Sequence, residues 1–478
     1  MIHAMKRIII MLMAIACASA QAIAAYKFPG KKSEWNGCDR YDFKIDNRDA
    51  TVVVPENALP GNPWVWRPAF FDAFPDIDRE LLKLGFHITY FDTTNEWGRP
   101  EALAAAEKYY DFMVGEHKMM ADPVMEGLSR GGYFSLRWAQ THPDKVGLLL
   151  LDNPLVDILA LEHDSEFMAD FLSKWGMESA AYDTFRDNAV YNMTPLVDHR
   201  IPLVLLSGGA DTVVPYEKHG RILVDVYRRW GVPYKSIVRP GGGHHPHGSD
   251  HADVIAGYIM NVVCNGAGSE NRKIRVASIG DSVTEGVGTT DASRYSYSAV
   301  LQGLLGEGYE VRNFGVSCAT VLKKGTDSGR PFSYMGTQRF RDALKWAPDV
   351  VIIKLGGNDS KPDNYRYVDE LKHNYQELID AFKYLPSLPQ IFICLPVKGK
   401  VTDPDQMWGI NDTLIRDGIT PCISEVAHDN RIPAIPLRDV YDGEENTCFT
   451  DNIHPSDRGA YLLGRRIYSV VESYLKGF

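Results

Sequence analysis

With 478 residues, 45% of them apolar and 24% charged, the chain has the balance of a soluble globular protein and is too long for one ordinary core. Two domains are therefore expected. A formal net charge of −11 argues against a nucleic-acid partner, because phosphate binding draws on clustered Lys and Arg.

Lys6 and Arg7 precede an apolar run, Ile8 to Ala16, and small residues continue through Ala25. That order predicts a secretory signal peptide over 1–25, cleaved after Ala20, Ala22 or Ala24. The run is too short for a permanent membrane span, and no other apolar stretch is long enough, so a periplasmic or secreted protein is expected. The alternative is a lipoprotein acylated at Cys17, for which Ala14-Ile15-Ala16-Cys17 is a poor lipobox. The other six cysteines contain no C-x-x-C pair, which leaves zinc and redox chemistry without support. Cys394 reads as a buried free thiol, and a Cys422–Cys448 pairing stays open.

From 26 to 266 short apolar runs alternate with helical periodicity. Strands are predicted at Ala50 to Val54, His87 to Phe91, Pro123 to Glu126, Gly147 to Asp152, Pro202 to Leu206 and Tyr234 to Val238. Helical stretches such as Glu101 to Val114 and Tyr133 to Thr141 lie between them. The alternation predicts a parallel sheet covered on both faces. Asn265-Gly266-Ala267-Gly268-Ser269-Glu270-Asn271 then has linker composition, and the linker is placed at 267–272. From 273 to 478 the pattern restarts, with strands at Ile274 to Ile279, Glu310 to Phe314, Val350 to Leu355, Ile391 to Leu395 and Ile432 to Ile435. Helices are expected at Tyr297 to Leu305, Thr337 to Trp346, Tyr367 to Tyr384 and Gly459 to Tyr474. The fold class is therefore α/β, as two three-layer α/β/α domains with mainly parallel sheets.

Gly127-Leu128-Ser129-Arg130-Gly131 follows the third predicted strand and opens a helix, the setting of a nucleophile elbow. Glycines at 127 and 131 would permit the close backbone packing such a turn needs. Asp211 and His244 each follow a later strand, where parallel sheets place their sites. These three elements, in that order, resemble the α/β-hydrolase family over nearly all of 26–266. The resemblance implies Ser129 as nucleophile, His244 as general base and Asp211 as its orienter, with oxyanion donors from the Arg130 backbone and a loop after an early strand. That loop is read as Pro63 to Arg67, with Trp66 as the second donor. His244, His245, His247 and His251 with Asp250 crowd one segment; without a spacing such as H-E-x-x-H, the reading is one catalytic His in a polar loop and no metal.

Gly280-Asp281-Ser282 leaves the first strand of the second half, Asn358 follows another strand, and Asp451 and His454 share one loop before the last helix. An amide at that place can donate to an oxyanion, and a carboxylate three residues from an imidazole can orient it. These segments are similar to the SGNH, or GDSL-type, hydrolases, a flavodoxin-like fold. The resemblance implies Ser282 as nucleophile, His454 as base, Asp451 as orienter and Asn358 as oxyanion donor. The family's remaining block ends in a glycine where this chain has Cys318, which keeps the N–H but adds a side chain; Gly315 is the fallback alignment. Asp281 and Asp359 read as loop-bracing acceptors.

The second half resembles bacterial carbohydrate O-acetylesterases, which implies an acylated polysaccharide or oligosaccharide as substrate and no cofactor. Two complete sets of groups predict two independent serine-esterase sites, the first removing another acetyl, a methyl ester or a hydroxycinnamoyl group. Trp66, Trp97 and Trp408 are candidates for stacking on sugar rings, with ordinary packing as the other reading. Two alternatives remain: one half is a glycan-binding module with a vestigial site, or the first half is a serine peptidase. Against the peptidase stands the short stretch before Ser129, with no propeller repeat.

Overall fold

The computed structural model describes residues 28–94, 96–163, 165–266 and 272–476. The signal peptide, Cys17 and nearly all of the expected linker lie outside the described residues. Among those described, no helix is long and apolar enough to cross a membrane, and Cys38, Cys264, Cys318, Cys394, Cys422 and Cys448 are all free thiols. The Cys422–Cys448 pairing is thus absent, and Cys394 is a buried thiol.

The first lobe is built on nine strands: β1 (Lys31–Trp35), β2 (Cys38–Ile45), β3 (Arg48–Val54), β4 (Trp64–Arg67), β5 (His87–Phe91), β6 (Val124–Leu128), β7 (Leu148–Asp152), β8 (Leu203–Gly208) and β9 (Tyr234–Arg239). Their order across the sheet is β1-β2-β3-β5-β4-β6-β7-β8-β9. The first three strands and the β3–β5 pair are antiparallel; from β5 to β9 every pair is parallel. β6, β7 and β8 are buried at every position, which explains their mainly apolar runs, Glu126 in β6 being a charged exception: a strand covered by helices on both faces has no polar side to show. β4 is likewise wholly buried, so Trp64 to Arg67 is a central strand and not the loop expected there. β1, exposed and charged at the sheet edge, and β2 beside it, half-buried with Asp, Arg and Lys breaking its apolar residues, lack an apolar run and are not predicted from the sequence.

The second lobe has a five-stranded, all-parallel sheet of β10 (Ile274–Gly280), β11 (Tyr309–Gly315), β14 (Val350–Lys354), β15 (Gln390–Cys394) and β16 (Ala434–Ile435), besides a small hairpin of β12 (Thr326–Asp327) and β13 (Arg330–Pro331). The order β11-β10-β14-β15-β16 reverses direction at β10, and ligands of such sheets bind at that reversal. Ser282 follows β10 and Asn358 follows β14, the two strands flanking it. In the first lobe Ser129, Asp211 and His244 follow β6, β8 and β9, on one edge of the sheet.

The lobes meet along β9. Lys383 donates to the carbonyl of Val238, Arg431 pairs with Glu217 at 3.0 Å, and Arg228 donates to the Tyr474 hydroxyl at 2.6 Å. Leu388 of the second lobe packs into a core cluster of the first. A cavity of about 500 Å³ opens between them, bordered by Lys235, Lys383, Arg431 and Tyr474.

Candidate active sites

Ser129 turns the chain from β6 into the helix Arg130–Thr141 with φ 49° and ψ −116°, a conformation a serine adopts only when its surroundings force it. Its N–H donates to the Asp152 carbonyl at 3.1 Å, and its carbonyl accepts from the N–H of Gly132 and of Leu155, both at 3.0 Å. A Cβ on Gly127 would lie 2.5 Å from Gly132 Cα, and one on Gly132 would lie 2.5 Å from Pro154 Cβ. The obligate pair is therefore Gly127 and Gly132; Gly131 would meet its nearest neighbour, Ala69 Cβ, at 3.3 Å.

His244 Nε2 lies 3.0 Å from Ser129 Oγ, and its Nδ1 lies 2.8 Å from Asp211 Oδ2. The other oxygen of Asp211 accepts from the N–H of Val213 and Val214, both at 2.8 Å. Burial pushes the Asp211 carboxyl up, but the His244 imidazole and these two N–H groups outweigh it and hold the pKa below its ordinary value. Asn153 was not anticipated. Its side chain donates to the His244 carbonyl at 3.0 Å and accepts from Gly208 N–H at 2.6 Å, tying the ends of β7 and β8 to the histidine loop. Its only trace in the sequence is its place one residue past a predicted strand.

Three imidazoles converge in that loop. The ring centroids of His244, His245 and His247 lie 4.8, 5.0 and 5.0 Å apart, while His251 leaves the group to stack on Tyr384 at 3.7 Å.

The oxyanion side needs one correction. Arg130 is the first residue of its helix, so its N–H has no partner within the helix. Trp66 does not reach the site: it sits inside β4, paired with Thr89 on one side and Met125 on the other, and is fully buried. Its indole packs on Trp64 and Trp138, so it is core and neither an oxyanion donor nor a sugar platform. The turn after β4, Pro68-Ala69-Phe70, lies against Gly131 through the side chains of Ala69 and Pro68, with Phe70 at φ 57°. Trp97 is also buried, donating to Asp170 at 2.7 Å. The guanidinium of Arg130 rests over the rings of Phe70, Trp97 and Phe167.

At the second site, His454 Nε2 lies 3.0 Å from Ser282 Oγ and its Nδ1 lies 2.8 Å from Asp451 Oδ2. The remaining oxygen of Asp451 accepts from the N–H of Ile453 and of His454, both at 2.7 Å. Burial opposes ionisation there too, yet these partners keep the carboxyl below its ordinary value. Gly288 approaches so closely that a Cβ would lie 2.8 Å from His454 Cβ, and its carbonyl accepts from Thr450 Oγ1 at 2.7 Å. The serine loop and the histidine loop thus clasp each other.

Asn358 is buried and donates to the Ala319 carbonyl at 3.2 Å; an amide has a second N–H for an oxyanion. Cys318 has φ 64°, a left-handed conformation that costs a non-glycine residue about 1–2 kcal/mol. Its thiol is half-buried, and burial raises its pKa. Gly315 ends β11 hard against the serine's helix, where a Cβ would lie 2.2 Å from Glu285 N. Asp359 accepts from the N–H of Val321 and Leu322, and burial raises its pKa to about 6. Asp281 caps the serine's helix through Val283 N–H and forms a buried ion pair with Lys354 at 3.0 Å, a partner the sequence did not suggest. Both carboxylates brace loops, as expected. A cavity of about 30 Å³ beside Ser282 is lined by Asn358, Pro396, Val397, Met407 and Ile453. Trp408, at φ 50° and 64% exposed, holds its ring 5.3 Å from that of His454.

Each site brings together a serine hydroxyl, an imidazole in contact with it, a carboxylate on the other imidazole nitrogen and N–H groups close by. That set supports acyl transfer through a covalent intermediate. Residues 278–462 match the GDSL-like Lipase/Acylhydrolase family, and residues 106–258 match the Prolyl oligopeptidase family. An acetylxylan esterase of Xylanibacter ruminicola is 30% identical across 73% of this chain and 75% of its own length. A carbohydrate acetylesterase from Sinorhizobium meliloti aligns at 22% identity over 42% of this chain and 99% of its own, with a TM-score of 0.35. A puromycin hydrolase aligns at 16% identity over 47% of this chain and 38% of its own, with a TM-score of 0.39.

Proposed function

From the premise that this chain belongs to the acetylxylan esterase family, we propose that it removes O-acetyl groups from decorated carbohydrate at two separate sites, with Ser129 and Ser282 as nucleophiles. It is a serine-dependent carboxylic ester hydrolase. The observation that carries the two-site reading is the duplicated contact: in each lobe an imidazole Nε2 lies 3.0 Å from a serine hydroxyl while a carboxylate holds Nδ1 at 2.8 Å.

At each site the serine oxygen attacks the ester carbonyl as its proton passes to the imidazole. The negative charge on the former carbonyl oxygen meets the Arg130 N–H and the turn after β4 in the first lobe, and the Cys318 N–H and the Asn358 amide in the second. The imidazolium returns its proton to the departing sugar hydroxyl, and water, deprotonated by the same imidazole, releases the acid. Asp211 and Asp451 keep the imidazoles in the tautomer this needs. The narrow cavity beside Ser282 suits a two-carbon acyl group, and Trp408 offers an exposed ring for a sugar next to the base. Domain limits of 26–266 and 273–478, export and an acylated polysaccharide as the natural substrate belong to the same proposal.

The test uses Ser129→Ala, Ser282→Ala and the double variant on acetylated xylan and on 4-nitrophenyl acetate, with a fluorophosphonate probe counting reactive serines. Two labels on the wild type, one on each single variant and acetate release lost only in the double variant are expected. A single label on the wild type sinks the two-site reading and leaves one lobe as a binding module. The match to the Prolyl oligopeptidase family favours a second reading for Ser129, hydrolysis of a peptide bond. Cleavage of a peptide panel by Ser282→Ala, with no acetate release, would select it.

A further inference from the structure

We propose that His244, His245 and His247 form a binding site for one divalent transition-metal ion such as Zn²⁺, and that occupancy switches off the Ser129 site alone. The metal site rests on geometry; the switch rests on the reading of His244 as the base. The three imidazoles each offer a nitrogen, all within 4.8 Å of one another, and their planes meet at 68°, 75° and 78°. A tetrahedral ion bound at about 2.0–2.1 Å by three imidazoles places the ring centroids about 5 Å apart. The observed centroid separations of 4.8, 5.0 and 5.0 Å match that spacing, and the ligand nitrogens, all within 4.8 Å of one another, would draw in to about 3.3 Å around the ion.

The outer contacts fit as well. A metal-bound imidazole is held by a carboxylate on its other nitrogen. His244 is hydrogen-bonded to Asp211 through Nδ1 at 2.8 Å, and His247 Nδ1 faces Asp152 at 3.3 Å without a hydrogen bond, so an ion would take Nε2 of both, displacing the Ser129 contact of His244. Asp152 is itself fixed, accepting from Gly248 N–H at 2.6 Å. Phe74 walls the cluster, its ring centroid 5.6 Å from that of His245 and 5.3 Å from that of His247. Imidazole sets of this kind favour Zn²⁺, Cu²⁺ and Ni²⁺ over Mg²⁺ and Ca²⁺.

An ion on His244 Nε2 takes the lone pair that would accept the Ser129 proton, the two atoms being 3.0 Å apart. His454 has no such company: among the described residues this is the single histidine cluster of its kind, and the ring that packs beside His454 is Trp408.

The experiment titrates Zn²⁺ by calorimetry and Co²⁺ by visible absorption into the full chain, beside turnover of Ser282→Ala, which reports the first site, and Ser129→Ala, which reports the second. One ion per chain is expected, with inhibition confined to Ser282→Ala and reversed by a chelator. His245→Ala and His247→Gln should each bind at least tenfold more weakly, and with Ser282→Ala they should need correspondingly more Zn²⁺ for inhibition relative to their own metal-free rates. Zn²⁺ affinity unchanged in both histidine variants, or no binding at millimolar Zn²⁺, overturns the site. Histidine-dependent binding that leaves Ser282→Ala turnover untouched upholds an ion on His245 and His247 and overturns the switch, while leaving the reading of His244 as the base intact.

Discussion

The surroundings of single side chains separate chemistry from packing more sharply than residue type does. Of three tryptophans that the sequence offers for carbohydrate, Trp66 and Trp97 are buried and only Trp408 projects into solvent, beside His454. Stacking a sugar there would be worth about 1 kcal/mol, so Trp408→Ala should raise KM roughly fivefold on acetylated xylo-oligosaccharides. It should leave kcat nearly unchanged and 4-nitrophenyl acetate unaffected, since that substrate has no sugar. Steady-state kinetics on Ser129→Ala as background decides it; an equal loss on both substrates would place Trp408 in loop support. At this scale the sequence was informative about Ser129, Asp211 and His244, because each lies in the loop or turn that leaves a strand and a parallel sheet gathers strand ends. It was silent about Asn153 and Lys354, whose importance comes from the partner met in space and not from any motif.

Among the elements, buried parallel strands were legible and edge strands were not, for one reason: apolar runs report burial on both faces. β7 and β8 were found almost to the residue, whereas β1 and β2 carry Lys, Glu, Asp and Arg that keep a sheet edge in water. β4 misled differently. Four residues ending in a buried arginine resemble a loop until the partner is seen: Arg67 pairs with Asp78 at 2.6 Å, both sealed from solvent, joining β4 to the helix Asp76–Lys83. Burial would lower the Arg67 pKa, but Asp78 and its neighbouring acids raise it, so the guanidinium stays charged. Asp78→Ala leaves that charge unpaired in the interior and should cost about 3–5 kcal/mol. Urea unfolding of the intact chain measures it; a loss below about 1 kcal/mol would mean that apolar packing alone fastens this helix.

Across the whole molecule the two sites share atoms-to-atoms geometry but differ in what holds it. At the second, acid and base lie three residues apart in one loop and are clasped by the serine's own loop. At the first, they lie on loops after β8 and β9, 33 residues apart, and the second lobe touches the acid's loop: Arg431 donates to the Gly209 carbonyl at 3.4 Å and pairs with Glu217 at 3.0 Å. Arg431→Ala should therefore lower turnover at the Ser129 site by about tenfold through a displaced Asp211, and leave the Ser282 site as it was. Paired assays on the two single-serine backgrounds check this, and equal slowing of both would point to general loosening.

The seam along β9 makes the halves unequal in dependence. The later one is a self-contained machine, whereas the earlier one borrows a crossbeam from its neighbour. Any rearrangement of such a gene that parts them should strand the Ser129 chemistry first, so this pairing is better understood as a buttress than as two tools on one string.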